Sequence, residues 1–141
     1  VFDRAFLIIG FFPWEAIHGF RLSGLVKYHL VVPGGLYERA LFLEQQGRAT
    51  LFVPAPPSVG PPAGVRAEVL PGTEFAVLTH PGGHDGIDRS YAALGIYVNE
   101  HLISSQGPIR EHYFGGTPTD PARFTATEIC WPIFGTAASS A

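Results

Sequence analysis

Apolar residues along this chain fall into short runs and helical stripes separated by glycine and proline. Ala5-Phe6-Leu7-Ile8-Ile9 is a run of the kind a buried strand needs. After Pro13, the residues Trp14, Ile17, Leu22, Leu25, Val26 and Leu30 recur at helical spacings, which predicts a helix. Gly19 and Gly24 weaken it, each by about 1 kcal/mol against alanine. Pro33-Gly34-Gly35 is expected to stop it. Residues 36–44, a turn over 45–47 and residues 48–53 then read as a β-hairpin closed by Pro54.

The same order returns in the second half. Residues 73–79 are strand-like, with Phe75-Ala76-Val77-Leu78 standing where Phe6-Leu7-Ile8-Ile9 stood. His80-Pro81-Gly82-Gly83 predicts a turn, and Asp85 a helix N-cap. Ile87, Tyr91, Leu94, Val98 and Leu102 form a clean apolar stripe at four- and three-residue steps. Gly107-Pro108 is expected to end that helix. Residues 109–114 and 125–133 predict a second hairpin, with a wider loop over 115–123 and Pro132 closing it.

Each half therefore reads strand, helix, hairpin. The predicted fold is α+β: a tandem pseudo-two-fold repeat of β-α-β-β units, over about 1–54 and 65–134, with antiparallel sheets and two helices. A half of roughly 70 residues with one amphipathic helix is too small to stand alone. The expectation is one domain over 1–141 with a joint core, which 141 residues and 46% apolar types can build. A cleft on the pseudo-two-fold axis follows, and such clefts favour ligands. The proline-rich stretch 54–64 favours extended polyproline geometry, as a stiff connector or as a ligand for a proline-recognising module.

Charge and cysteine usage narrow the function classes. Nine Lys+Arg against twelve Asp+Glu give a net charge of −3, so no nucleic-acid binding by this chain and no anionic-lipid patch are expected. The longest apolar run, residues 5–12, is far short of the ~20 residues of a membrane span. Arg4 before it is a weak signal-peptide cue with no cleavage motif after it. The single cysteine, Cys130, excludes an internal disulfide, and the expected location is the cytoplasm. A chain that starts at Val1 and has no methionine is compatible with a fragment whose N-terminal partner is missing, and a stand-alone protein stays open beside it.

The chemistry concentrates in Thr125-Ala126-Thr127-Glu128-Ile129-Cys130-Trp131-Pro132-Ile133. Strand alternation puts Glu128 on one face with Ala126 and Cys130, and Thr127, Ile129, Trp131 and Ile133 on the other. Glu128 is then an edge acid in water, a buried acid held by Arg110 or Arg123, or a desolvated acid awaiting a ligand. His80, His84 and Asp85 invite a metal reading, but Pro81-Gly82-Gly83 between the histidines makes turn and cap roles the expectation, with no metal and no cofactor. Cys130 has no local nucleophile motif and reads as a small buried apolar group. No nucleophile elbow, phosphate loop or dinucleotide fingerprint occurs. His29 and His101 end the two predicted helices, where charge–dipole complementation explains them.

Four segments together resemble the GyrI-like small-molecule-binding domains: Phe75-Ala76-Val77-Leu78-Thr79-His80-x-Gly, the helix with Tyr91, Leu94 and Tyr97, Gly107-Pro108-Ile109-Arg110-Glu111-x-Tyr113, and Thr127-Glu128-Ile129-x-Trp131-Pro132-Ile133. The resemblance is fairly specific from about Val65 to Phe134, while the first half matches in layout more than in residues. Such domains serve as effector domains of MerR- and AraC-type multidrug regulators and also stand alone. The resemblance implies paired β-α-β-β units sharing one pocket, with Glu128 at its floor and Tyr113 on its wall. Two departures bear on the ligand: Gly82-Gly83-His84 stands where aromatic and acidic residues are common, and Tyr97 where a tryptophan is.

The expected function is binding of lipophilic, cationic aromatic molecules, with Glu128, Tyr113, Trp131, Tyr91, Tyr37 and Trp14 as ligand-binding residues. An anionic carboxylate in a dry pocket attracts a delocalised cation more strongly than in water, and each aromatic face adds about 0.5–2 kcal/mol. Trp131 alternates away from Glu128, so its place in the pocket would need a bulge or a pleated edge. Two alternatives stay open: a hydrolase of reactive electrophilic natural products, with Glu128 as general base and Tyr113 positioning the substrate, and a gyrase-inhibitor-like interaction protein. A homodimer is compatible with each.

Overall fold

The structure is a computed structural model, and it describes residues 5–12, 32–55, 60–61, 63–70, 72–115 and 124–134, with the backbone alone for 5–12. The predicted helix over 13–30, with Trp14 and His29, lies outside the described residues, as does Arg123. In chain order the elements are β1 (Ala5–Phe12), β2 (Gly34–Tyr37), α1 (Ala40–Leu43), β3 (Ala49–Ala55), β4 (Arg66–Val69), β5 (Glu74–Pro81), α2 (Ile87–His101), β6 (Ile109–Phe114) and β7 (Ala126–Ile133). The class is α+β. All strands join one antiparallel sheet in the order β4-β1-β3-β2-β6-β7-β5. The seam between the two predicted halves is β2 on β6, where Gly35 faces Glu111 and Tyr37 faces Ile109. Among the described residues no helix is long and apolar enough to cross a membrane.

The stripe on α2 builds the core. Leu94 and Val98 pack with Ile109 and Ile129, and Ile87, Tyr91, Leu102, Ala76, Leu78, Trp131 and Ile133 close around them. Every stripe position predicted from the spacing is in that cluster, while Ile96 and Tyr97 on the far side of the helix are exposed. Alternation does the same for β6, whose Ile109, Glu111 and Tyr113 are buried on the face that α2 covers. Arg110, His112 and Phe114 take the reverse face and are half-buried.

Several local expectations are corrected. Gly34-Gly35 does not stop a helix; both residues lie in β2. A β-carbon at Gly34 would collide with the Glu111 carbonyl and the Phe52 ring, so only glycine lets the seam close. At Gly35 a β-carbon would come within 2.6 Å of the Tyr37 ring, which leans back over this gap toward Glu111 and Tyr113. The strand predicted to reach residue 44 ends at Tyr37. Ala40–Leu43 turns as helix, because alanine and leucine prefer it and the Glu44 N–H finds the Ala40 carbonyl. Gln45 then takes a left-handed φ of 55°.

Proline also proves more permissive than expected. Pro54 lies inside β3, opposite Phe6, and the chain after the proline-rich stretch pairs again as β4 on β1. Pro132 lies inside β7, opposite Phe75. Its carbonyl accepts from the Ser105 N–H, so its nitrogen faces away from β5 and removes no donor from that ladder. His80 and Pro81 extend β5 rather than turning. The helix cap is Gly86, at φ 73°, in place of Asp85. The helix ends at His101, before Gly107-Pro108, and the Leu102 N–H closes it on the Val98 carbonyl.

Candidate functional site

On the face of β6 that α2 covers, one carboxyl is almost sealed from water. Glu111 is 5% exposed. Tyr91, in the second turn of α2, donates its hydroxyl to Glu111 Oε1. Tyr37 from β2 and Tyr113 from β6 hydrogen-bond through their hydroxyls, and Tyr113 also reaches the Glu111 carboxylate. A phenol has one proton, so the chain runs Tyr37 to Tyr113 to Glu111, with Tyr91 donating from the other side. His84 Nε2 lies 3.9 Å from Glu111 Oε2. The Tyr113 ring stacks on Phe124 at 5.0 Å and meets the His84 ring edge-on at 5.5 Å.

Burial dominates the electrostatics. It pushes the Glu111 carboxyl above the ordinary carboxylate range, against the pull of the Tyr91 and Tyr113 hydrogen bonds and of His80. The phenols of Tyr37, Tyr91 and Tyr113 are raised too, by burial first and by Glu111 beside them, so they stay protonated and remain donors. Transferring a carboxylate into such a site costs several kcal/mol unless hydrogen bonds or a cation offset it.

Beside this cluster an open groove of about 590 Å³ runs along the flank of α2, with Phe42, Tyr91, Gly95, Ile96, Asn99 and Trp131 on its walls. Phe42 comes from α1, and its ring tilts over Tyr91 at 4.7 Å. Trp131 lies under Gly95, where an added β-carbon would sit 3.4 Å from the indole. Its Nε1–H donates to Ser104 Oγ at 2.9 Å, and the Arg39 guanidinium stands 5.3 Å above its ring. Arg39 is fixed in turn by the Ser105 carbonyl. Tyr91 links the two parts: its ring lines the groove and its hydroxyl holds the acid.

Of the residues expected from sequence, Tyr37, Tyr91 and Tyr113 meet around Glu111, and Trp131 shares their face. Glu128 does not join them. It stands opposite His112 on the reverse face, while Tyr113 stands opposite Thr127, so pleating aims the two side chains apart. The Glu128 side chain is 35% exposed, and its Oε2 lies 3.5 Å from His112 Nδ1. The arginine offered as its clamp, Arg110, faces Cys130 and lies over the Phe75 ring at 4.8 Å. Trp131 lies on the face of Glu111 and packs against the α2 core, with no bulge in its pairing to β5. Trp14 lies outside the described residues.

Glu111 had a readable signal. Ile109, Glu111 and Tyr113 share one face by alternation, and a carboxylate between two large apolar groups is the pattern of a desolvated acid. His80 lies in β5, and its ring ties that strand to the start of α2, with Nδ1 on Ser90 Oγ at 2.8 Å and Nε2 on the Asp85 carbonyl at 3.2 Å. Cys130 is buried, and burial pushes its thiol up to about 11, with Glu128 adding to the shift and Arg110 opposing it. It is no nucleophile at neutral pH.

Comparison with known proteins bears on the family and the fold. A family model described as "GyrI-like small molecule binding domain" matches residues 29–133. A search of curated protein sequences finds no significant match. Among solved structures, a cryo-EM structure of an EcmrR–DNA complex is 17% identical with a TM-score of 0.67, covering 93% of this chain and 53% of that one. The chain thus spans about half the length of that relative. A Staphylococcus aureus MU50 protein described as a bacterial transcription regulation protein is 15% identical, with a TM-score of 0.57 and 95% of each chain covered. At these identities the structures speak for the fold.

Proposed function

The chain belongs to the GyrI-like small-molecule binding domain family, and from that premise we propose that it binds lipophilic, cationic aromatic molecules on the α2 face, with Glu111 as the acid that receives the charge. The observation that carries this reading is a carboxyl almost without solvent whose partners are phenols and an imidazole. A delocalised organic cation desolvates cheaply and would supply the counter-charge that burial leaves wanting. Tyr91 and Trp131 line the adjoining groove, where the indole already carries the Arg39 cation over its ring.

In this reading the two halves, about 1–54 and 65–134, are duplicates sharing one site. The strand order supports it, since β1-β3-β2 on one side of the seam corresponds to β5-β7-β6 on the other. The role that fits is an effector module of a cytoplasmic transcription regulator, a reading supported by structural relatives that are an EcmrR–DNA complex and a transcription regulation protein. The net charge of −3 leaves contact with DNA to other parts of such a protein.

The test is a fluorescence titration with a cationic dye and a neutral dye of the same shape. Glu111→Gln should weaken the cationic dye more than about tenfold, the equivalent of about 1.4 kcal/mol, and leave the neutral dye little changed. Glu128→Gln should leave both within about a factor of two. Equal losses for the two dyes in Glu111→Gln, or a selective loss in Glu128→Gln, would overturn the assignment. The raised carboxyl of Glu111 also supports a second reading, in which it acts as general base toward a reactive electrophile. Hydrolysis followed by mass spectrometry, and abolished in Glu111→Gln, would favour that reading over binding alone.

A further inference from the structure

The reverse face of β6 and β7 takes no part in the site above, yet it gathers three side chains of different donor chemistry. His112, Glu128 and Cys130 each present one ligand atom, and these atoms lie within 4.8 Å of one another. The register explains the cluster. His112 and Glu128 are directly opposed across the strands, and Cys130 follows Glu128 by two residues, on the same face and diagonal to His112. We propose that this face carries a divalent-metal site in which His112, Glu128 and Cys130 are the ligands and zinc is the ion of best chemical fit.

The donor set argues for zinc. Imidazole nitrogen, carboxylate oxygen and thiolate sulfur suit a borderline ion, whereas magnesium and calcium want oxygen alone. Zinc bonds of about 2.0–2.3 Å in a tetrahedron place ligand atoms roughly 3.3–3.8 Å apart. The His112 Nδ1 to Glu128 Oε2 distance of 3.5 Å is already in that range, and the Cys130 sulfur lies within 4.8 Å of both ligand atoms. The three ligands leave a fourth position toward solvent, since the His112 and Glu128 side chains are 28% and 35% exposed. Phe52 stands edge-on to the His112 ring and limits its motion.

Arg110 is the opposing feature, because it faces Cys130 across the strands. A guanidinium there favours the thiolate that the metal needs and repels the dication itself. Thiolate and carboxylate together neutralise the ion, so the filled site adds no net charge beside Arg110.

Cobalt(II) is the probe, because it takes zinc sites and gives a thiolate-to-metal charge-transfer band in the near ultraviolet. Cys130 is the chain's single cysteine, so that band can arise at this position alone. One equivalent of cobalt added to the reduced protein should produce the band, and zinc should displace it stoichiometrically. Cys130→Ser should abolish it. His112→Gln and Glu128→Gln, at partly exposed positions, should each weaken cobalt binding by at least about tenfold with an unchanged far-ultraviolet circular dichroism spectrum. No band at stoichiometric cobalt, or binding unchanged in both of those variants, would overturn the site.

Discussion

Two carboxylates lie on neighbouring strands of this sheet, and they live in different media. On the face beneath α2 the Glu111 side chain is 7% exposed and is held by phenols; on the reverse face the Glu128 side chain is 35% exposed and has an imidazole beside it. The difference comes from pleating and from what covers each face. Ile109, Glu111, Tyr113, Thr127 and Ile129 turn toward the helix, and Arg110, His112, Glu128 and Cys130 turn away. The helix-covered face makes an acid expensive to ionise and therefore responsive to a cation. The reverse face keeps its acid near water, where it can serve as one ligand among several.

The contrast breaks most visibly in packing. Ile129, fully buried between Glu128 and Cys130 in sequence, should cost about 2–5 kcal/mol on truncation to alanine. Glu128→Ala, one residue earlier but on the reverse face, should cost under about 1 kcal/mol. Urea denaturation of both variants measures this. Similar losses would mean that the reverse face is packed as tightly as the face beneath α2.

Acid–base behaviour sharpens the comparison next. The folded state raises the Glu111 pKa above its unfolded value, so the folded protein binds the proton more tightly than the unfolded chain. The stabilisation from the protonated form is complete below the ordinary carboxylate pKa and is lost as pH rises through the folded pKa. Wild type should therefore lose stability relative to Glu111→Gln as pH increases over that window, and thermal denaturation of the pair at several pH values reads the difference. A flat difference would mean that Glu111 is solvated in the free protein, and one that slopes the other way that the fold stabilises its ionised form. Bound cationic dye should oppose the loss by stabilising the ionised form.

What could be read from the sequence followed periodicity. The α2 stripe, the β6–β7 hairpin and the alternation of β7 rest on spacings of 3.6 and 2, and they survive intact in the structure. The breaks read from proline and glycine fared worse. Gly34 and Gly35 answer a close approach across the seam, and Pro132 points its missing N–H away from β5; both are tertiary facts. The resemblance attaches the pocket role to Glu128, whereas alternation places that residue on the face away from Thr127 and Trp131. The same alternation applied to Ile109-x-Glu111-x-Tyr113 marks Glu111. The wall from Phe42 depends on α1, a single turn of helix too short for a periodic signal.

The finest test compares two couplings, each measured by a double-mutant cycle in urea denaturation. For Tyr91→Phe with Glu111→Gln, the hydrogen bond to a buried acid should give a coupling of about 1.5–3 kcal/mol. For His112→Gln with Glu128→Gln, two partly exposed side chains 3.5 Å apart should give less than about 1 kcal/mol, because water screens the pair and competes for both groups. Added zinc should change the second coupling and leave the first alone, since a metal binds His112 and Glu128 on the reverse face and touches neither Tyr91 nor Glu111. If zinc moved both couplings, the two faces would act as one unit through the strands they share, and the division drawn between them would fail.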